Sequence, residues 1–224
     1  MRCFSFISVI LLAAVSIVTA SFAQERFDYA VRDNMFRAFG GNEAAYKSAM
    51  LTIEEKLKEQ PDHAEALAWH GVGLYFKAGQ ALAAGDRAGA ATLSKAAMAD
   101  LDRAFQLEPT NIGVLIPRSA TLLVVARNQR DADRARDLAA RAAAGFETAF
   151  AIRRPALAQL GLHNRGEYLA GLAESWALAG DRQKAEGYLR RILADLPNSP
   201  YAERAVAKLG DWNDRRPLNC QTCH

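Results

Sequence analysis

The sequence predicts an all-α protein built as a stack of antiparallel helix pairs, and three observations predict it. Alanine is abundant while Val, Ile and Thr are sparse beyond the opening stretch, a bias that favours helix over strand. From Phe27 onward, helix-length apolar patterns alternate with short breaks, as expected of amphipathic helices. The breaks also recur in kind: Gly or Asn between the partners of a pair, and Pro after each pair. Gly tolerates the left-handed conformation that ends a helix, and Pro cannot continue one. Recurrence at a few tens of residues marks a helical solenoid.

Taken in order, the first pair runs over Phe27–Phe39 and Glu43–Gln60, turning at Gly40-Gly41-Asn42 and closed by Pro61. The second runs from Asp62 to about Ala84 and from Arg87 to Leu107, turning at Gly85-Asp86 and closing at Pro109. The third covers Ile112–Arg127 and Asp131–Ile152, turning at Asn128-Gln129 and closing before Pro155. The fourth covers Arg165–Ala179 and Arg182–Asp195, turning at Gly180-Asp181 and closing at Pro197. A last helix, Pro200–Leu209, is expected to cap the stack with Glu203, Arg204 and Lys208 facing water.

Individual positions carry a more specific pattern. The fourth pair places Leu169, Leu172, Ala173 and Trp176 on its first helix and Gly180-Asp181 at the turn, with Ala185, Leu189 and Pro197 following. The second pair has Trp69, Gly73 and Phe76, then Ala97, Leu101, Ala104 and Pro109. The first keeps Ala49, Ile53 and Pro61, and the third keeps Ala142, Phe146 and Ala149 with Pro155. This pattern resembles the tetratricopeptide repeat family over most of residues 27–209, strongly in the fourth pair and loosely in the first and third. Ile192 stands where the family prefers Ala, and the second pair is longer than the family unit. The resemblance implies a right-handed superhelical stack of about four pairs plus a capping helix, with a concave surface that holds a protein or peptide partner. Small residues such as Gly73, Ala173 and Ala185 let helices approach, while Trp69, Phe76, Trp176 and Tyr188 fill the remaining volume. A non-repetitive helical bundle is the alternative, since the pair lengths are irregular.

The chain has 224 residues, half of them hydrophobic, enough for a sizeable core. Its net charge is +3, from 28 basic and 25 acidic residues, too balanced to imply a nucleic-acid partner or an anionic membrane surface. The opening carries Arg2 and then an apolar stretch through Ile7, Val9, Leu11, Leu12, Val15 and Val18. Ser21 and Ala23 stand at signal-peptidase spacing, so residues 1–23 read as a signal peptide and Gln24 as the start of the mature chain. Val18-Thr19-Ala20 is a second possible cut, and an uncleaved anchor is the alternative. The apolar core is short for a span. The expected destination is the periplasm or the exterior, with no membrane attachment after cleavage.

Of the three cysteines, Cys3 leaves with the signal, and Cys220 and Cys223 remain. A pair three apart cannot staple a fold. The last five residues, Cys220-Gln221-Thr222-Cys223-His224, follow an arm over residues 210–219, and residues 24–209 form the repeat domain. Two thiols at this spacing reach the two vinyl groups of one haem, and the adjacent imidazole binds its iron. The motif resembles that of c-type cytochromes. The resemblance implies a covalently attached haem c, with Cys220 and Cys223 as attachment points and His224 as the axial iron ligand. Cytochrome domains place most of their fold after the motif, whereas nothing follows His224 here. Trp212, Pro217 and Leu218 are candidates to pack the arm against the last helix or the porphyrin.

Three other readings of the terminal pair compete. One is a Cys220–Cys223 disulfide formed in an oxidising compartment. A second is a thiol-exchange role, disfavoured because no βαβ context accompanies it. The third is a metal site of Cys220, Cys223 and His224 that needs a fourth ligand from elsewhere. No sixth iron ligand stands out among His63, His70 and His163, and Met35, Met50 and Met98 read as core filling. Gly71-Val72-Gly73 reads as close helix packing and not as a phosphate loop. The alternating charges from Arg130 to Asp137 read as a solvated face. No catalytic constellation appears. The expectation is a protein-binding scaffold with an electron-transferring haem c, and not an enzyme. The alternative is a pure interaction or assembly module whose terminal cysteines form a disulfide or bind metal.

Overall fold

The computed structural model describes residues 26–214 and 216–218, and every regular element among them is helical. The helices are α1 (Asp28–Phe39), α2 (Glu43–Glu59), α3 (Ala64–Ala83), α4 (Arg87–Leu107), α5 (Ile112–Asn128), α6 (Ala132–Arg153), α7 (Leu162–Ala179), α8 (Arg182–Asp195) and α9 (Pro200–Gly210). They fall into four hairpins and a closing helix, as expected. The hairpins stack in chain order, and the first helix of each touches the first helix of the next: α1 on α3, α3 on α5, α5 on α7. None of the described helices is long and apolar enough to cross a membrane. The expected leader, residues 1–23, lies outside the described residues.

Local chemistry explains where each helix starts. Asn42, Asp86, Asp131 and Asp181 open the second helix of each pair, and each side chain accepts a backbone N–H of the first turn. Such caps satisfy donors that have no partner within the helix. Gly41, Gly85 and Gly180 take φ of +94°, +86° and +91° at three of the turns, a region costly for a side chain. The third turn, at Gln129, instead leaves α5 in an extended conformation and needs no glycine.

Two features depart from the sequence reading. Pro155 does not simply separate two helices: it lies in a short 3₁₀ helix, Arg154–Gln159, that fills the connection between α6 and α7. Helix α7 then begins at Leu162, earlier than the expected Arg165, and its first turn takes in His163. Pro117 also lies inside α5. It has no N–H to give the carbonyl of Gly113 one turn back, a loss the helix carries near its N-terminus.

The core comes in two large blocks. One is formed by α1–α4 and includes Val31, Met35, Met50, Ile53, Trp69 and Leu101. The other includes Leu115, Leu122, Phe146, Leu169, Leu172, Leu189 and Tyr201, from α5 to α9. A smaller cluster of Ala64, Leu67, Ala68, Ala104 and Val114 lies between them. The alanines that carry the repeat resemblance, Ala49, Ala97, Ala104, Ala142, Ala149, Ala173 and Ala185, are all buried. Met35 and Met50 are buried and Met98 is partly so, as core filling requires. Trp69 and Phe36 meet edge to face at 6.3 Å, and Phe76 lies 5.2 Å from Phe39. Trp176 is only half-buried, its indole N–H donating to Glu147 at 2.9 Å.

Buried carboxylates tie the leading ends of the first helices together. Asp28 of α1 and Glu65 of α3 are both buried, and Glu65 Oε2 accepts the Asp28 backbone N–H at 3.0 Å. Arg26 donates to Asp28 at 2.8 Å. Burial is the main cause that raises the Asp28 carboxyl above its ordinary value, against the opposing pull of Arg26. A Cβ at Gly113 of α5 would lie 2.5 Å from Glu65 Oε1, so the absence of a side chain lets α5 close on α3.

Candidate functional site: the C-terminal arm and its seat

The arm leaves α9 at Gly210 and is ordered by its own short-range bonds. Asp211 Oδ1 accepts the Asn213 N–H at 2.8 Å, and Asp214 Oδ1 accepts the Arg216 N–H at 2.9 Å. Aspartates that bond the backbone two residues on build such turns without a helix or strand. The Arg216 guanidinium also bonds both Asp214 oxygens, and these contacts hold the Asp214 carboxyl at about 2. Trp212 lies under the Arg182 guanidinium of α8, 4.4 Å from its ring centre. Lys208 does not face water as the sequence suggested. Its Nζ turns back to donate to the carbonyls of Trp212 at 2.9 Å and Asp214 at 2.6 Å, while Glu203 is exposed as expected.

The decisive contact comes at Leu218. Its side chain is 3% exposed and belongs to the block of core formed by α5–α9. Its backbone N–H donates to Glu174 Oε2 at 3.1 Å. Glu174, on α7, is itself gripped by Arg127 at the end of α5: Nε reaches Oε1 at 2.5 Å and Nη2 reaches Oε2 at 2.5 Å. The Glu174 and Arg127 side chains are 12% and 18% exposed. A planar guanidinium matched to a carboxylate in two parallel bonds is stronger and more directional than a single contact. The result is a fixed, nearly dry acceptor that meets a passing main chain. Pro217 has no N–H of its own, so Leu218 supplies the donor.

Burial of Leu218 favours docking of the arm, and the turns at Asp211 and Asp214 lower its entropic cost by limiting the free arm in advance.

Cys220, Cys223 and His224, the residues the sequence singles out, lie outside the described residues, which end at Leu218. The described histidines are engaged elsewhere. His63 caps α3 through Nδ1, His70 Nδ1 lies 2.7 Å from Asp100 Oδ2, and His163 Nδ1 lies 3.2 Å from the Tyr201 hydroxyl. Among the described residues no group of three His, Cys, Asp or Glu side chains is placed to hold a metal ion. A further convergence of charge is Arg118 and Arg141 on Asp102 Oδ1, at 2.9 and 2.6 Å, with Arg118 stacked on Phe105. It joins α4, α5 and α6 and reads as a structural triad whose carboxylate already meets both cations.

Comparison of the chain with known protein families, with characterised proteins and with solved structures finds no match. The functional reading therefore rests on the residues themselves. Sequence reasoning named Trp212, Pro217 and Leu218 as packing candidates but missed Glu174 and Arg127, which lie in different hairpins and carry no motif.

Proposed function

We propose that this is an exported helical-repeat scaffold of tetratricopeptide type. Its stacked first helices bind a protein or peptide partner, and its tail carries one covalently attached haem c that transfers electrons within that assembly. The observation that carries the reading is the donor set Cys220-Gln221-Thr222-Cys223-His224, which begins two residues beyond the anchored Leu218. Two thiols and an adjoining imidazole are the chemistry that a haem c needs for attachment and axial ligation. Cys220 and Cys223 would hold the macrocycle, and His224 would bind its iron. When bound, the group supplies one-electron transfer. The chain's own contribution is an anchor: Leu218 is buried and bonded to Glu174, and the six residues beyond it can reach at most roughly 20 Å from that point. The reading assigns no catalytic residue, and periplasmic export through residues 1–23 is part of it.

The test is expression in a bacterial host that has the machinery for c-type cytochrome maturation. The purified protein is expected to show a Soret band and to stain for haem after denaturing electrophoresis, with a mass gain of one haem. Cys220→Ser with Cys223→Ser is expected to abolish all three signals. A colourless wild-type protein whose terminal peptide is lighter by two hydrogens would instead establish the disulfide and end the redox reading.

A further inference from the structure

The seat of Leu218 has the attributes of a recognition site as well as those of a fastening. Its acceptor, Glu174, is held by Arg127, which bonds both carboxylate oxygens. What it receives is one main-chain N–H and one leucine side chain, at 3.1 Å and almost fully buried. Neither feature depends on which polypeptide supplies them. A second anchor, Trp212 between Arg182 and Lys208, precedes the leucine by six residues. Between the anchors, Asp214 accepts the Arg216 N–H through its carboxylate and the Lys208 ammonium through its carbonyl.

We propose that the Glu174–Arg127 fork and the apolar seat of Leu218 form a docking site for a partner segment bearing an aromatic residue and, six residues on, a Pro-Leu step. The chain's own arm occupies this site in cis. A partner that displaces the arm undoes the Leu218 anchor, two residues before the terminal Cys-x-x-Cys-His segment, which couples partner capture to the tether of that segment. This rests on the scaffold reading above and names its site, but it does not require haem. Peptide recognition that combines main-chain hydrogen bonding with a seat for one side chain is a general mode. A tethered ligand competes at an effective concentration on the order of mM, so the arm masks the site from weak ligands and yields to strong ones.

The probe is a labelled synthetic peptide spanning residues 211–218, which contains no cysteine, titrated into the full chain by fluorescence anisotropy. Leu218→Asp, which expels the arm, is expected to bind the peptide about tenfold or more tightly than the wild type. Glu174→Gln added to Leu218→Asp is expected to weaken that binding again, and a peptide with Asp in place of the leucine is expected not to bind. Leu218→Ala, which introduces no charge, should give the same ordering and guards against misfolding of the first variant. Equal binding to wild type and both variants would overturn the proposal, as would no binding to variants whose circular dichroism matches that of the wild type. Neither result bears on haem attachment, and a colourless protein leaves this test intact.

Discussion

Replacing Glu174 by alanine is expected to destabilise the protein by roughly 3–5 kcal/mol, the range found when one partner of a buried ion pair is removed. Glu174 and Arg127 are both largely shielded from water, and the carboxylate accepts from the guanidinium and from the Leu218 amide at once. Its loss leaves a cation without its bidentate acceptor in a poorly solvated place and also removes the main-chain contact that holds the arm. The denaturation midpoint, followed by circular dichroism, is expected to fall by roughly 6–20 °C for a chain of this size. Glu174→Gln keeps the shape and one acceptor oxygen, so its cost is expected to be smaller. A fall within 1 °C for the alanine variant would show that the pair contributes little.

A matched pair of glycines in one helix should move stability in opposite directions. A Cβ at Gly71 of α3 would lie 2.8 Å from the Ala97 carbonyl oxygen and 2.8 Å from Leu101 Cγ, both on α4. The carbonyl belongs to a helix backbone and cannot swing aside, so Gly71→Ala must push α3 and α4 apart. Overpacking of this kind costs about 1–3 kcal/mol or more, which outweighs the roughly 1 kcal/mol that alanine gains over glycine in a helix interior. At Gly79, eight residues on and exposed, a Cβ meets nothing within 4 Å. Gly79→Ala therefore keeps the propensity gain and is expected to stabilise by up to about 1 kcal/mol. Urea titration of the two variants beside the wild type reads both signs, and stabilisation by both would refute the close-approach argument. At Gly73 the neighbour is the Met50 thioether, a flexible tip that can yield, so that position is the more tolerant of the two packed glycines.

The helices were legible because their signals are local. Asn42, Asp86, Asp131 and Asp181 announce helix starts, the glycines announce turns, and the buried alanines follow the helical period. Gly71 and Gly73 read from sequence as close packing, and the geometry agrees. The connection after α6 was less legible. Gly161 precedes α7 without any side-chain cap, so nothing marks the start at Leu162, and Pro155 signals an ending without saying that a 3₁₀ helix follows. Among the elements of the site, Trp212 and Leu218 stood out as apolar residues in a polar arm. Their partners did not. Arg127 and Glu174 are 47 residues apart, and each is one of many charged residues on helices whose exposed faces are also charged. Only the stacking of α5 on α7 brings them together. Lys208 misled for a similar reason: a lysine near a helix end usually reaches water, but here the returning arm offers it two carbonyls.

The division of the core into two blocks has a consequence for how the molecule opens. In stacked hairpins each unit leans chiefly on its neighbours, so the two blocks of core are expected to open with different free energies, and hydrogen exchange would read α1–α4 and α5–α9 as protected to different degrees. Leu218 is buried with the second block, so its amide is expected to exchange together with that block and not with the first.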